Sequence, residues 1–119
     1  MKRGHRELRA WQEAVALVET IYRLTSAFPK DEQFGLTSQM RRAATSVPAN
    51  IAEGAARSGT RELLHFLSIA SGSLSELDTH LEVAKRLGFL RDTADAQDKI
   101  DRVSALVLAL AKSLKAKES

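Results

Sequence analysis

Apolar residues recur along most of the chain at alternating steps of three and four, the spacing that keeps one face of a helix turned inward. Leu8, Trp11, Val15, Val18, Tyr22 and Thr25 mark the inward face of a first helix. It is expected to end at Phe28-Pro29, because the residue before a proline is pushed out of the α region. A second segment starts near Gly35-Leu36-Thr37 and carries Leu36, Met40, Ala43, Val47 and Ile51. Pro48 lies inside it and removes a backbone donor at a cost of about 3 kcal/mol, so a kink or local break is expected. The hydroxyls of Thr45 and Ser46 are placed to bond carbonyls freed there.

Gly54 and Gly59 bracket Ala55-Ala56-Arg57-Ser58 as a connection, with Ser58 or Thr60 as the expected N-cap of the third helix. That helix has a regular bundle seam in Leu67, Ala70, Leu74, Leu77, Leu81 and Ala84. Its middle, Ala70-Ser71-Gly72-Ser73, is small, and Gly72 sacrifices about 1 kcal/mol relative to alanine, which points to close approach of another helix or chain. Gly88 stops it, Phe89 and Leu90 are expected to fold back, and Asp92 or Thr93 caps a fourth helix near Ala94–Lys115. Ile100, Val103, Val107, Leu110 and Leu114 are its inward positions. Short connections make consecutive helices antiparallel, so the expected fold is an all-α, up-down-up-down four-helix bundle about 30 Å long, with helix 2 kinked near Pro48.

The composition fits that reading. With 119 residues, 44% hydrophobic and 28% charged, the chain is read as one domain over 1–119, with residues 1–6 as a basic, mobile tail. The absence of cysteine excludes disulfides, thiolate nucleophiles and Cys-based zinc sites, and makes a cytoplasmic location the expectation. Its longest apolar tract, Ala105 to Ala111, is too short to span a membrane, and the basic start lacks the apolar run of an export signal. Net charge is +3 and the pI about 9.5. The basic residues of the first half, Lys2, Arg3, Arg6, Arg9, Arg41, Arg42, Arg57 and Arg61, make it the expected source of any anion-binding surface.

Catalytic constellations are sparse. Glu62-Leu63-Leu64-His65 is one half of the paired Glu-x-x-His arrangement of bundle di-metal sites, and no second half exists, so no metal site and no cofactor are expected. Glu76 and His80 are one turn apart and can pair locally, but no nucleophile elbow, phosphate loop or dinucleotide fingerprint accompanies them, and an enzyme is not expected. Arg41 and Arg42 are adjacent and must diverge, one toward solvent and the other toward the bundle, where Glu53 or Glu76 is the expected partner. Arg57 and Arg61 flank a glycine-containing turn at a helix start, the better place for a phosphate. Arg6, Arg9, Arg41, Arg57 and Arg61 form the candidate nucleic-acid-binding set. A chain with one Trp and one Tyr has few stacking aromatics, and the bland alternative is a protein–protein scaffold with solubilising charge.

The run Leu36-Thr37-Ser38-Gln39-Met40-Arg41-Arg42-Ala43-Ala44-Thr45-Ser46-Val47-Pro48-Ala49-Asn50-Ile51-Ala52-Glu53-Gly54 is too particular for a generic helix. With Phe66 to Leu77, Trp11-Gln12-Glu13-Ala14 and Tyr22, it resembles the bacterial four-helix-bundle family found in intervening sequences of 23S ribosomal RNA genes. The resemblance implies a homopentameric ring without known enzymatic activity for most members. It also implies kinship with accessory proteins of diversity-generating retroelements, which bind RNA or DNA and a reverse transcriptase.

Overall fold

The computed structural model describes residues 4–118. Four α-helices, α1 (Arg9–Thr25), α2 (Leu36–Ala56), α3 (Thr60–Arg86) and α4 (Ala94–Glu118), account for most of them. Short 3-10 turns at Gly4–Glu7 and Lys30–Glu32 precede α1 and α2. Residues 4–6 of the expected tail therefore belong to an ordered turn that packs on α1 and α2, while residues 1–3 lie outside the described residues.

Each helix packs against two others, α1 and α3 each touching α2 and α4, with no contact across the diagonals among the described residues. Cross-helix contacts run antiparallel: Arg41 of α2 meets Thr25 of α1, Gly54 of α2 lies against Leu63 and Phe66 of α3, and Asp78 of α3 accepts a hydrogen bond from Gln97 of α4. The up-down-up-down bundle follows. Because α3 spans 27 residues, the molecule measures 47 Å along its longest axis, longer than the 30 Å expectation.

The core is built from the seams of α2, α3 and α4 as expected: Met40, Val47 and Ile51 meet Leu67, Leu74, Leu77 and Leu81, and Ile100, Val103 and Val107 close the other side. Leu110 and Leu114 are only half-buried, near the end of α4. Each fully buried Leu or Ile contributes on the order of 1.5–3 kcal/mol, so this seam dominates the fold's stability.

The inward face of α1 differs from expectation. Ala10, Ala14, Leu17, Ile21 and Thr25 are buried, while Trp11, Val15 and Val18 are half-buried and Tyr22 is exposed. Small alanines let α1 approach its neighbours closely, and the bulky stripe one residue further round covers the flank of the contact.

Local expectations are refined at several points. Of the kink or break expected at Pro48, the break does not occur: α2 is one continuous helix through it. Thr45 Oγ donates to the Arg41 and Arg42 carbonyls a turn upstream, and Ser46 Oγ pairs across the interface with Ser73 Oγ. Gly59, in extended conformation, precedes α3 as its N-cap with no side-chain capping bond, so neither Ser58 nor Thr60 fills that role. Within the subunit no helix closes on the thin waist at Gly72: a Cβ there would meet nothing within 4 Å. The close approach is at Gly54, where a Cβ would lie 2.8 Å from Phe66 Cβ and 2.9 Å from Leu63 Cδ1.

The far end is closed as expected. Gly88 adopts φ 80°, and Phe89 N–H donates to the Ala84 carbonyl while Gly88 N–H donates to that of Lys85, a Schellman closure. Phe89 then folds back to pack on Phe28, ring centroids 5.5 Å apart, and Asp92 Oδ1 accepts from the Ala94 N–H at the start of α4.

Candidate functional site

Antiparallel alternation brings the starts of α1 and α3 and the ends of α2 and α4 to one pole of the bundle. Arg6 and Arg9 come from the first turn and the start of α1, Arg57 from the end of α2, and Arg61 from the first turn of α3. Lys112, Lys115 and Lys117 of α4 end at the same pole. Four of the five candidate arginines thus converge from four elements, in two stretches of sequence, residues 6–9 and 57–61. Glu7, Glu53 and Glu62 lie there too. The opposite pole mixes both signs, with Asp31, Glu32, Asp92 and Asp95 beside Arg23, Lys30, Lys85, Arg86 and Arg91.

The arginines of the basic pole are held differently. Arg9 and Arg61 are exposed and make no side-chain hydrogen bond or ion pair among the described residues. The Arg6 guanidinium lies over the Trp11 ring at 5.3 Å, and His5 meets the same ring edge-on at 5.1 Å. Arg57 lies over Phe66 at 5.3 Å, pairs with Glu53 at 3.5 Å, and His65 meets Phe66 edge-on at 5.3 Å. Two Arg–ring–His groups therefore stand at one pole. Sequence reasoning passed over Trp11 and Phe66 as site residues, because periodicity assigns bulky rings to the core.

Arg41 stands apart, toward the other end of α2. Its Nε donates to Thr25 Oγ at 2.9 Å, one Nη donates to the Tyr22 carbonyl at 3.3 Å, and the guanidinium covers the Tyr22 ring at 4.4 Å. It is half-buried while Arg42 is exposed, so the two neighbours diverge as expected. The expected carboxylate partner is replaced by a hydroxyl and a carbonyl of α1; Glu53 is taken by Arg57, and Glu76 by His80 at 3.2 Å. Arg41 closes the α1–α2 corner.

An open groove of about 600 Å³ between α2 and α3 is lined by Gln39, Arg42, Ser46 and Glu76 among others. Its hydroxyls and carboxylate have partners within the fold: Thr45 Oγ donates to the Arg41 and Arg42 carbonyls, Ser46 Oγ pairs with Ser73 Oγ, and Glu76 pairs with His80. Glu62 and His65 are exposed, and the described residues contain no group of three His, Asp or Glu side chains able to hold a metal ion. None of the described helices is long and apolar enough to cross a membrane.

Comparison with known proteins agrees with this architecture. A crystal structure of a protein with unknown function from the S23 ribosomal protein family of Bacteroides thetaiotaomicron superposes with a TM-score of 0.77 at 18% identity, covering 87% of this chain and 98% of that one. At that identity the likeness shows the fold alone. No curated protein matches the sequence. The family model described as 23S rRNA-intervening sequence protein matches residues 6–109, nearly the whole bundle. On that match the chain belongs to the 23S rRNA-intervening sequence protein family.

Proposed function

We propose that the basic pole is a sequence-independent contact surface for the phosphate backbone of RNA or DNA, and that the protein is a non-enzymatic, oligomeric binding module. The observation that carries the reading is the convergence of Arg6, Arg9, Arg57 and Arg61 from four elements, with Arg9 and Arg61 unpaired among the described residues. Phosphate contacts need exposed cations and no base-reading groove, and the pole supplies the first without the second. A net charge of +3 is modest for one copy. Several copies joined with their poles on one face add weak contacts into one avid surface, which is where the homopentamer implied by family resemblance enters.

The test is a gel-shift series with RNA and with DNA over a range of salt. Retardation that weakens steeply as salt rises supports the reading; no retardation at low salt overturns it. Light scattering on the free protein reads the copy number.

A second reading, a protein–protein scaffold, draws on Phe34 and Leu108, which are 91% and 64% exposed. Large apolar side chains so placed suit a protein partner, a reverse transcriptase being the one implied by resemblance. Stoichiometric capture of a partner protein without nucleic acid favours it.

A further inference from the structure

At the basic pole, the two rings identified above stand with their exposed arginines in a form that phosphate binding alone does not require. Trp11 is half-buried, fixed by its packing on the core, and carries the Arg6 guanidinium over its face and His5 at its edge. Phe66, in the second turn of α3, repeats the arrangement with Arg57 and His65, although its arginine arrives from the end of another helix. A cation that only attracts phosphate gains nothing from standing over a ring. A guanidinium so held is partly restrained in advance and, where it stays exposed, offers a planar group for a base to stack on. Arg6 is exposed, and the Arg57 side chain retains 47% exposure despite its contact with Glu53.

Stacked planes of this kind recognise unpaired bases, which present a π-face whatever their sequence. Bases inside a duplex are already stacked and offer only their edges and phosphates. Arg41 over Tyr22 shows the contrast: two of its donors tie it to Thr25 and the Tyr22 carbonyl, so that pair is a clamp within the fold.

Resting on the polyanion reading, we infer that the basic pole takes single-stranded nucleic acid, the Arg6–Trp11 and Arg57–Phe66 pairs each stacking a base while Arg9 and Arg61 hold phosphates. The two platforms lie on neighbouring elements, since the 3-10 turn that bears Arg6 packs against α2, whose end bears Arg57. Bases of one strand can thus meet both.

The experiment compares fluorescence anisotropy of labelled single strands (RNA and DNA), a duplex of the same length, and competition by long-chain polyphosphate. It uses the wild-type chain and the double variant Arg6→Lys with Arg57→Lys, which keeps both charges and removes both planes. Circular dichroism checks the fold. Wild type is expected to bind single strands more tightly than duplex, and the variant to lose about tenfold for single strands while polyphosphate competition stays within about twofold. Trp11 is the sole tryptophan, so its emission should change on adding single strands and not on adding polyphosphate. Equal binding of strands and duplex, or an unchanged variant, overturns the stacking inference and leaves the polyanion reading standing. No binding of any polyanion, polyphosphate included, overturns both.

Discussion

Arg41 Nε and Thr25 Oγ lie 2.9 Å apart and tie the second turn of one helix to the end of its antiparallel neighbour. Thr25 Oγ in turn donates to the Ile21 carbonyl at 2.7 Å, so its lone pair is aimed at the guanidinium while its proton serves α1. The last carbonyls of α1 gain a cation where the helix dipole is negative. Arg41→Ala should lower unfolding free energy by about 1–2 kcal/mol, read as a shift in the urea midpoint. Lysine should restore less than half of this, since a point charge cannot serve hydroxyl, carbonyl and ring together.

That arrangement separates folding from binding among the candidate arginines. Arg9→Gln and Arg61→Gln, at exposed positions, should leave thermal unfolding within about 0.5 kcal/mol of wild type. Each should weaken nucleic-acid binding uniformly across sequences and reduce the log–log salt slope by about one. Arg41→Gln should do the reverse, costing stability and leaving the salt slope unchanged. Parallel melting and salt-titrated binding of the three variants checks the division; an Arg41 variant that flattens the slope would return Arg41 to the binding surface.

Why one member of the arginine set parts from the others is instructive about the sequence. The seams of α3 and α4 were legible because bulky aliphatics such as Leu74, Leu77 and Val103 sit at their buried positions. On α1 the buried positions are Ala10 and Ala14, whose small side chains leave little periodic signal, and Trp11 and Tyr22 pulled the reading one residue round the helix. The convergence of Arg6, Arg9, Arg57 and Arg61 follows from short connections and alternating direction, both readable in the chain. The laying of Arg57 on Phe66 is not, because it depends on how the end of α2 meets the second turn of α3 and on the rotamers there. The same holds for Gly54, whose reason lies entirely in the Phe66 and Leu63 side chains facing it.

Acid should loosen the exposed end of α3. The Glu82 carboxyl is held below its usual range by its hydrogen bond from Arg86 Nε, at 2.8 Å, with the charges of Arg86 and Lys85 adding to it. A group whose folded pKa is depressed stabilises the fold above its unfolded pKa, near 4.3, and loses that contribution as pH falls through the folded value. The pair is solvated, so the effect is small. Protection factors of the amides around Glu82, which are corrected for the intrinsic slowing of exchange in acid, should fall below about pH 4 in the wild type, and Glu82→Gln should diminish that acid-dependent change.

Gly54 and Gly72 make opposite demands on alanine. At Gly54 the added Cβ would sit under 3 Å from the Cβ of Phe66 and the Cδ1 of Leu63, and the helices α2 and α3 must part to admit it. Overpacking of this kind costs about 1–3 kcal/mol, so Gly54→Ala should lower the melting temperature despite alanine's better helix propensity. At Gly72 the subunit leaves open space, and Gly72→Ala should stabilise it by about 0.5–1 kcal/mol through reduced chain entropy. If a second copy packs at that waist in an oligomer, the same methyl meets the neighbour. The subunit then gains helix stability while the assembly weakens, and light scattering shows a smaller mass at concentrations where the wild type remains whole. An unchanged mass with a raised melting temperature would place the interface elsewhere and leave Gly72 on a free surface.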